Sequence, residues 1–155
     1  MPNDLCKVRF QIAQNDDGCP PFTSEAMWCI RLGENRFRVD NIPFFAHGVS
    51  YCDVISVSAS EDGRLNFDEV VEENGHSTLR VLFGDADQRP ENIVAHELAT
   101  ELQKHGCLTD VSPSPIILAV DVPPSIALKN VRKILAEGES KGLWSYEEAT
   151  LAHPD

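Results

Sequence analysis

The sequence predicts an α+β protein: a small antiparallel β-barrel-like unit over residues 1–74, then a ferredoxin-like β-α-β-β-α-β unit over residues 75–155. Two observations lead there. Up to about residue 70 the apolar residues recur every second position in short runs separated by turn residues, the period of half-buried strands. Beyond residue 75 the rhythm changes, and two stripes of helical period alternate with strand-like runs.

Taken in order, Val8, Phe10 and Ile12 alternate with Lys7, Arg9 and Gln11 as a first strand, closed by the polar loop Asn15 to Pro21. Trp28, Ile30 and Leu32 share the inward face of a second strand, and Gly33-Glu34-Asn35 turns it into a third through Phe37 and Val39. Asn41 to Asp53 holds Pro43, which fixes φ and lacks a donor, and Gly48, which permits a left-handed turn, so this stretch is expected as an ordered crossover. Val54, Val57 and Ala59 begin a fourth strand, Ser60-Glu61-Asp62-Gly63 is a turn, and Leu65, Phe67 and Val70 form the fifth. Trp28, Phe44, Phe45 and Val81 are expected to be largely buried.

The second half opens with a strand at Leu79, Val81 and Phe83. Asp87 to Glu91, with a proline in the first turn and acids beside it, marks a helix start. Its stripe is Val94, Leu98 and Leu102, ending at Gly106. Cys107 to Val111 reads as a short strand, Ser112 to Pro115 as a connection, and Ile116 to Val122 as a central strand. Pro123-Pro124-Ser125 opens a helix with the stripe Ile126, Val131, Ile134 and Leu135, closed by Gly142, before a last strand at Leu143 to Glu147.

Composition bounds the function. Thirteen Lys and Arg against 25 Asp and Glu give a formal charge of −12, which speaks against nucleic acid or an anionic membrane and makes a basic protein surface the natural complement. Acidity also serves plain solubility. The first residues, Met1 to Lys7, hold an acid and no apolar run, so no signal peptide is expected. Five cysteines without a C-x-x-C pair are the usage of a reducing compartment, so the chain is expected to be cytoplasmic and disulfide-free.

No reaction is identified by a motif. His96-Glu97 begins like a zinc-peptidase helix, but Thr100 stands where the second histidine is needed. Glu97, Glu101 and His105 recur every fourth residue, yet opposite the apolar stripe they read as a solvated face, so no metal or cofactor is expected. No phosphate-binding loop, dinucleotide fingerprint or nucleophile elbow occurs. Cys52, with His47 and Asp53 beside it, has the residue types of a thiol nucleophile and its base, although such cysteines more often pack as small apolar groups. His76-Ser77-Thr78 ahead of Arg80 reads first as hydrogen bonding where a strand begins. The acidic run of Glu61, Asp62, Asp68, Glu69, Glu72 and Glu73 holds six carboxylates around the single Arg64. It is a candidate surface for a basic protein, because long-range attraction hastens association.

Asn41-Ile42-Pro43-Phe44-Phe45-Ala46, then Gly48-Val49-Ser50-Tyr51, Asp53-Val54, Gly75-His76-Ser77-Thr78 and Arg80-Val81 resemble a bacterial domain-of-unknown-function family, number 4265. The likeness continues through Asp121-Val122-Pro123-Pro124 and from Gly142 to Glu147. The family implies no activity, substrate, cofactor or catalytic residue. Small acidic bacterial proteins of this kind look like immunity proteins or regulators of another protein. The second half is also loosely similar, in fold alone, to the inhibitors that regulate ribonuclease E.

The expected function is therefore a non-enzymatic acidic binding protein that neutralises or regulates a basic partner, with an immunity protein against a toxin as its specific form. The alternative is a small enzyme or ligand sensor whose pocket lies between the two units, lined by Phe44, Phe45, His47, Tyr51, Cys52 and His76.

Overall fold

A computed structural model describes residues 4–18, 23–83, 90–113 and 116–153. These hold nine strands and two helices in an α+β fold that is mostly sheet. The chain divides into two compact units, Met1–Asn74 and Gly75–Asp155.

In the first unit β1 (Leu5–Gln11), β2 (Ser24–Gly33), β3 (Arg36–Val39), β4 (Val54–Ala59) and β5 (Leu65–Glu72) form one sheet that closes into a barrel. Neighbours in sequence pair antiparallel. Closure comes from a short parallel pairing of β1 with β5, confined to Val8–Leu65 and Arg9–Asn66. The core is Val8, Phe10, Met27, Cys29, Phe37, Val39, Ala46, Val49 and Ile55, with Phe10 stacked on Phe67 at a centroid distance of 4.8 Å.

The inward face of β2 differs from the expected one. Met27 and Cys29 are buried, whereas Trp28 is 41% and Leu32 47% exposed. Both alternations in β2 carry apolar residues, so pattern alone does not choose the face, and a one-residue change of phase turns every side chain over. The register settles it: Val8 lies opposite Met27 and Cys6 opposite Cys29. Trp28 instead stands on the outer face across from Lys7, whose Nζ lies 4.9 Å from the ring centroid. Phe44 and Phe45 are half-buried rather than largely buried, while Val81 is fully buried.

The second unit contains β6 (Ser77–Phe83), α1 (Glu91–Lys104), β7 (Leu108–Pro113), β8 (Ile116–Val122), α2 (Leu128–Ser140) and β9 (Trp144–Thr150). Its sheet order is β7-β8-β6-β9, antiparallel throughout. Leu79, Val81, Leu118, Val120 and Val122 share a core with Leu98, Ala99 and Leu102 of α1 and with Leu128, Val131 and Leu135 of α2, so both helices lie on one face. Residues of opposite phase, Thr78, Arg80, Ala119 and Asp121, occupy the other face and are buried too. The expected apolar stripes thus meet the sheet, except that Ile126 precedes α2 and Ile134 is partly buried. Gly138 packs so tightly under Trp144 that a Cβ there would collide with the indole, and Trp144 Nε1 donates to the Leu135 carbonyl at 2.9 Å.

The strand at β7 reaches Pro113, two residues into the expected connection. Expectations for residues 19–21, 84–89 and 114–115, Cys19 and most of the first helix start among them, fall outside the described residues. Among the described residues no helix is long and apolar enough to cross a membrane.

Candidate functional site

All six carboxylates of the acidic run are exposed. Glu61 and Asp62 sit in the β4–β5 turn, where Gly63 takes φ +83° and its N–H donates to the Ser60 carbonyl at 2.9 Å. The Ser60 hydroxyl and then the Arg64 amide donate to Asp62, and these bonds hold its carboxyl below the ordinary aspartate value. Asp68, Glu69 and Glu72 lie on β5, and Glu73 follows it.

The register of β5 against β4 skips twice, leaving Asp68 and Val71 as extra residues. Such bulges break the strict alternation, which is why Asp68 and Glu69 are exposed side by side. From Phe67 onward β4 is the only strand hydrogen-bonded to β5 among the described residues. Glu72 pairs with Arg36 at 3.0 Å and Asp62 with Arg64 at 3.4 Å. Glu61, Asp68, Glu69 and Glu73 have no ion pair among the described residues.

The crossover is shaped by acids. Glu25, in phase with inward-facing Met27 and Cys29 on β2, accepts three successive backbone N–H groups, from Phe44 at 2.7 Å and from Phe45 and Ala46 at 3.0 Å each. Asn41 Oδ1 accepts the Trp28 amide at 2.7 Å. Asp53, 4% exposed, accepts the Ser50 amide at 2.9 Å and the Asn74 amide at 3.2 Å, and the Asn74 side chain donates to the Cys52 carbonyl. Cys52 itself is held at φ +73°.

Of the residues expected around a pocket, Phe44, Phe45, Tyr51 and Cys52 are half-buried in this loop and His47 is exposed. His76 belongs to the second unit. Asp53, in the sequence reading the companion of a reactive thiol, serves here to tie the loop to the end of β5. Glu25 was missed; the available signal was a carboxylate in phase with the apolar face of a strand.

In the second unit, His76 Nδ1 lies 3.0 and 2.9 Å from the two oxygens of fully buried Asp121. Ser77 Oγ is 2.5 Å from His153 Nδ1, a pair with the residue types of nucleophile and base. Its surroundings assign it a different task. His153 Nε2 lies 2.8 Å from the Pro123 carbonyl, which only accepts, so this nitrogen carries the proton and Nδ1 takes the Ser77 O–H. Ser77 Oγ also accepts the amides of Ala152 and His153, at 2.9 and 3.2 Å, and the residue is fully buried. The pair clasps the segment that follows β9 to β6 rather than presenting a nucleophile.

On α1, Glu101 pairs with His105 at 3.4 Å, and no group of three potential ligands among the described residues could hold a metal. Burial, helped by the nearby Cys6 and Asp40, pushes the Cys29 thiol up to about 12, and burial with Asp121 pushes Cys107 up to about 11. Neither is a ready nucleophile.

A hypothetical protein from Neisseria gonorrhoeae, known as a crystal structure, shares this fold with a TM-score of 0.77 and 21% identity, over 96% of each chain. No curated protein matches the chain. The family described as a domain of unknown function, DUF4265, matches residues 25–146. That stretch runs from the glutamate that holds the crossover to the last strand of the second sheet, and the chain belongs to the DUF4265 family.

Proposed function

We propose that this chain is a non-enzymatic acidic binding protein that neutralises or regulates a basic protein partner, in its specific form a cytoplasmic immunity protein against a toxin. One observation carries the reading: six exposed carboxylates gathered on β5, its preceding turn and the residue after it, four of them without an ion pair among the described residues. Charges left uncompensated at a surface steer a complementary partner and add little to the stability of the fold. The bulges of β5 fit this use, since they turn neighbouring acids outward together.

The strand and helix order, with sheet order β7-β8-β6-β9 and both helices on one face, supports reading the second unit as a ferredoxin-like split β-α-β fold. That assignment is one of architecture and leaves the binding surface on the first unit.

The test takes the product of the adjacent gene as partner and a generic cationic protein as control. Association with the former should be fast at low salt and slow steeply as salt rises, with dissociation changing much less. Reversing Glu69, Glu72 and Glu73 to Lys should weaken it far more than reversing Glu97 and Glu101. No binding, or equal losses from the two sets, overturns the reading.

The left-handed Cys52 within the crossover favours a second reading, a small enzyme or ligand sensor built around Phe44, Phe45, His47, Tyr51 and Cys52, because strained backbone concentrates at functional loops. Under the first reading Cys52→Ser keeps function; loss of function in a folded Cys52→Ser protein would favour the second.

A further inference from the structure

The barrel is closed along β1 and β5 by two residue pairs alone, Val8–Leu65 and Arg9–Asn66. Before that seam β1 carries Cys6 and Lys7, while the facing chain turns away at Gly63 and Arg64. A cleft of about 430 Å³ opens there, next to Ala26. Its floor is apolar: Cys6 and Leu65, both partly buried, pack against the barrel core, and Ala26 is exposed beside them. Its rim is cationic, formed by Lys7, Arg9 and Arg64.

Three cations around one cleft run against the composition of a chain with 25 carboxylates and 13 Lys and Arg. Each is held in place. Arg9 Nε donates to Asn66 Oδ1 at 2.8 Å, Lys7 sits over Trp28, and Arg64 Nε lies 3.4 Å from Asp62. Asp62 also feels the charge of Arg9. Among the described residues neither Lys7 nor Arg9 has an ion pair, and the terminal guanidinium nitrogens of Arg9 make no bond to protein. A guanidinium anchored through Nε keeps the rest of its fork for the paired oxygens of a carboxylate or phosphate.

We propose that this cleft binds a small amphipathic anion, its carboxylate or phosphate head at Lys7, Arg9 and Arg64 and its short apolar body on Cys6, Ala26 and Leu65. The site adjoins the acidic surface at Arg64 and Asp62 but uses none of its carboxylates as ligand contacts, so its failure leaves the reading of that surface untouched.

The full chain is titrated by calorimetry with hexyl phosphate and hexanoate, with hexanol as the body alone and inorganic phosphate as the head alone. Alkylation of Cys6 is followed by mass spectrometry in the same samples. A six-carbon anion should bind saturably, more tightly than hexanol or phosphate, and should slow Cys6 alkylation; the better of the two anions names the head. Arg9→Met and Lys7→Met should each weaken binding about tenfold or more, while Arg31→Met, which removes the same charge elsewhere on the barrel, should stay within about twofold. Arg9→Lys keeps the charge without the fork and should fall between, and circular dichroism confirms that each variant is folded. Hexanol binding as well as the anions, equal losses at Arg9 and Arg31, or saturable binding that leaves Cys6 unprotected each overturns the proposal, as does no binding at all.

Discussion

Glu25 organises the crossover from outside it, on β2. A carboxylate that accepts three consecutive amides replaces the partners those N–H groups would have in a regular element. Glu25→Gln keeps the shape but puts an NH₂ donor against backbone donors. It should cost about 1–3 kcal/mol in urea unfolding. Cys29 supplies a prediction of opposite character. Its folded value near 12 stands above the ordinary 9.0, and the neutral thiol is the form that burial favours. The stability it contributes is therefore complete below pH 9 and is lost as pH climbs from 9 toward 12. Cys29→Ala should flatten that alkaline decline relative to the parent protein, whatever its effect at neutral pH. An unchanged slope would contradict the burial argument.

At the scale of elements, the strands guard their open sides with side-chain oxygens. The Val111 amide of edge strand β7 is taken by Asp110 at 2.9 Å, and the Tyr146 amide of edge strand β9 by Glu139 of α2 at 3.2 Å. In the barrel the Val57 amide of β4 is taken by Asn35 at 2.7 Å. An unpaired strand edge is a template for another chain, and a carboxylate seated on its donor blocks that pairing. β7 has reason for the guard, since Leu108 and Val111 are 45% and 42% exposed. Asp110→Ala should raise the tendency to self-associate, visible as a concentration-dependent increase in mass by light scattering, with little change in unfolding midpoint. Pro113 at the end of the same strand already lacks a donor, so its replacement by Ala should add to the effect.

For the whole molecule, a formal charge of −12 means that self-repulsion and partner steering are governed by the same screening, whose length is about 10 Å at roughly 0.1 M salt. The reversals at Glu69, Glu72 and Glu73 reduce net charge and remove one exposed pair, Arg36–Glu72, worth about 0–1 kcal/mol. They should therefore leave the unfolding midpoint nearly unchanged while slowing association with a basic partner. Large destabilisation by this triple change would mean that the acids hold β5 in place instead of presenting a surface.

Local periodicity was enough to place nine strands and two helices along the chain, because alternation and helical stripes record which side chains leave water. It placed the acidic run at the surface for the same reason, since uncompensated charge is rarely buried. It left open which face of β2 points inward: Met27 and Cys29 compete with Trp28, Ile30 and Leu32, and the choice rests on pairing with Val8 and Cys6 across the sheet. The roles of Glu25, Asp53 and His153 depend on partners 19 to 76 residues away in sequence, Phe44, Asn74 and Ser77 among them. The cationic cleft likewise joins Lys7 and Arg9 to Arg64, residues that no window of sequence holds together. Alternation reports burial strand by strand, whereas hydrogen-bond partners and charge clusters exist only once closure of the sheet has brought distant segments within a few ångströms.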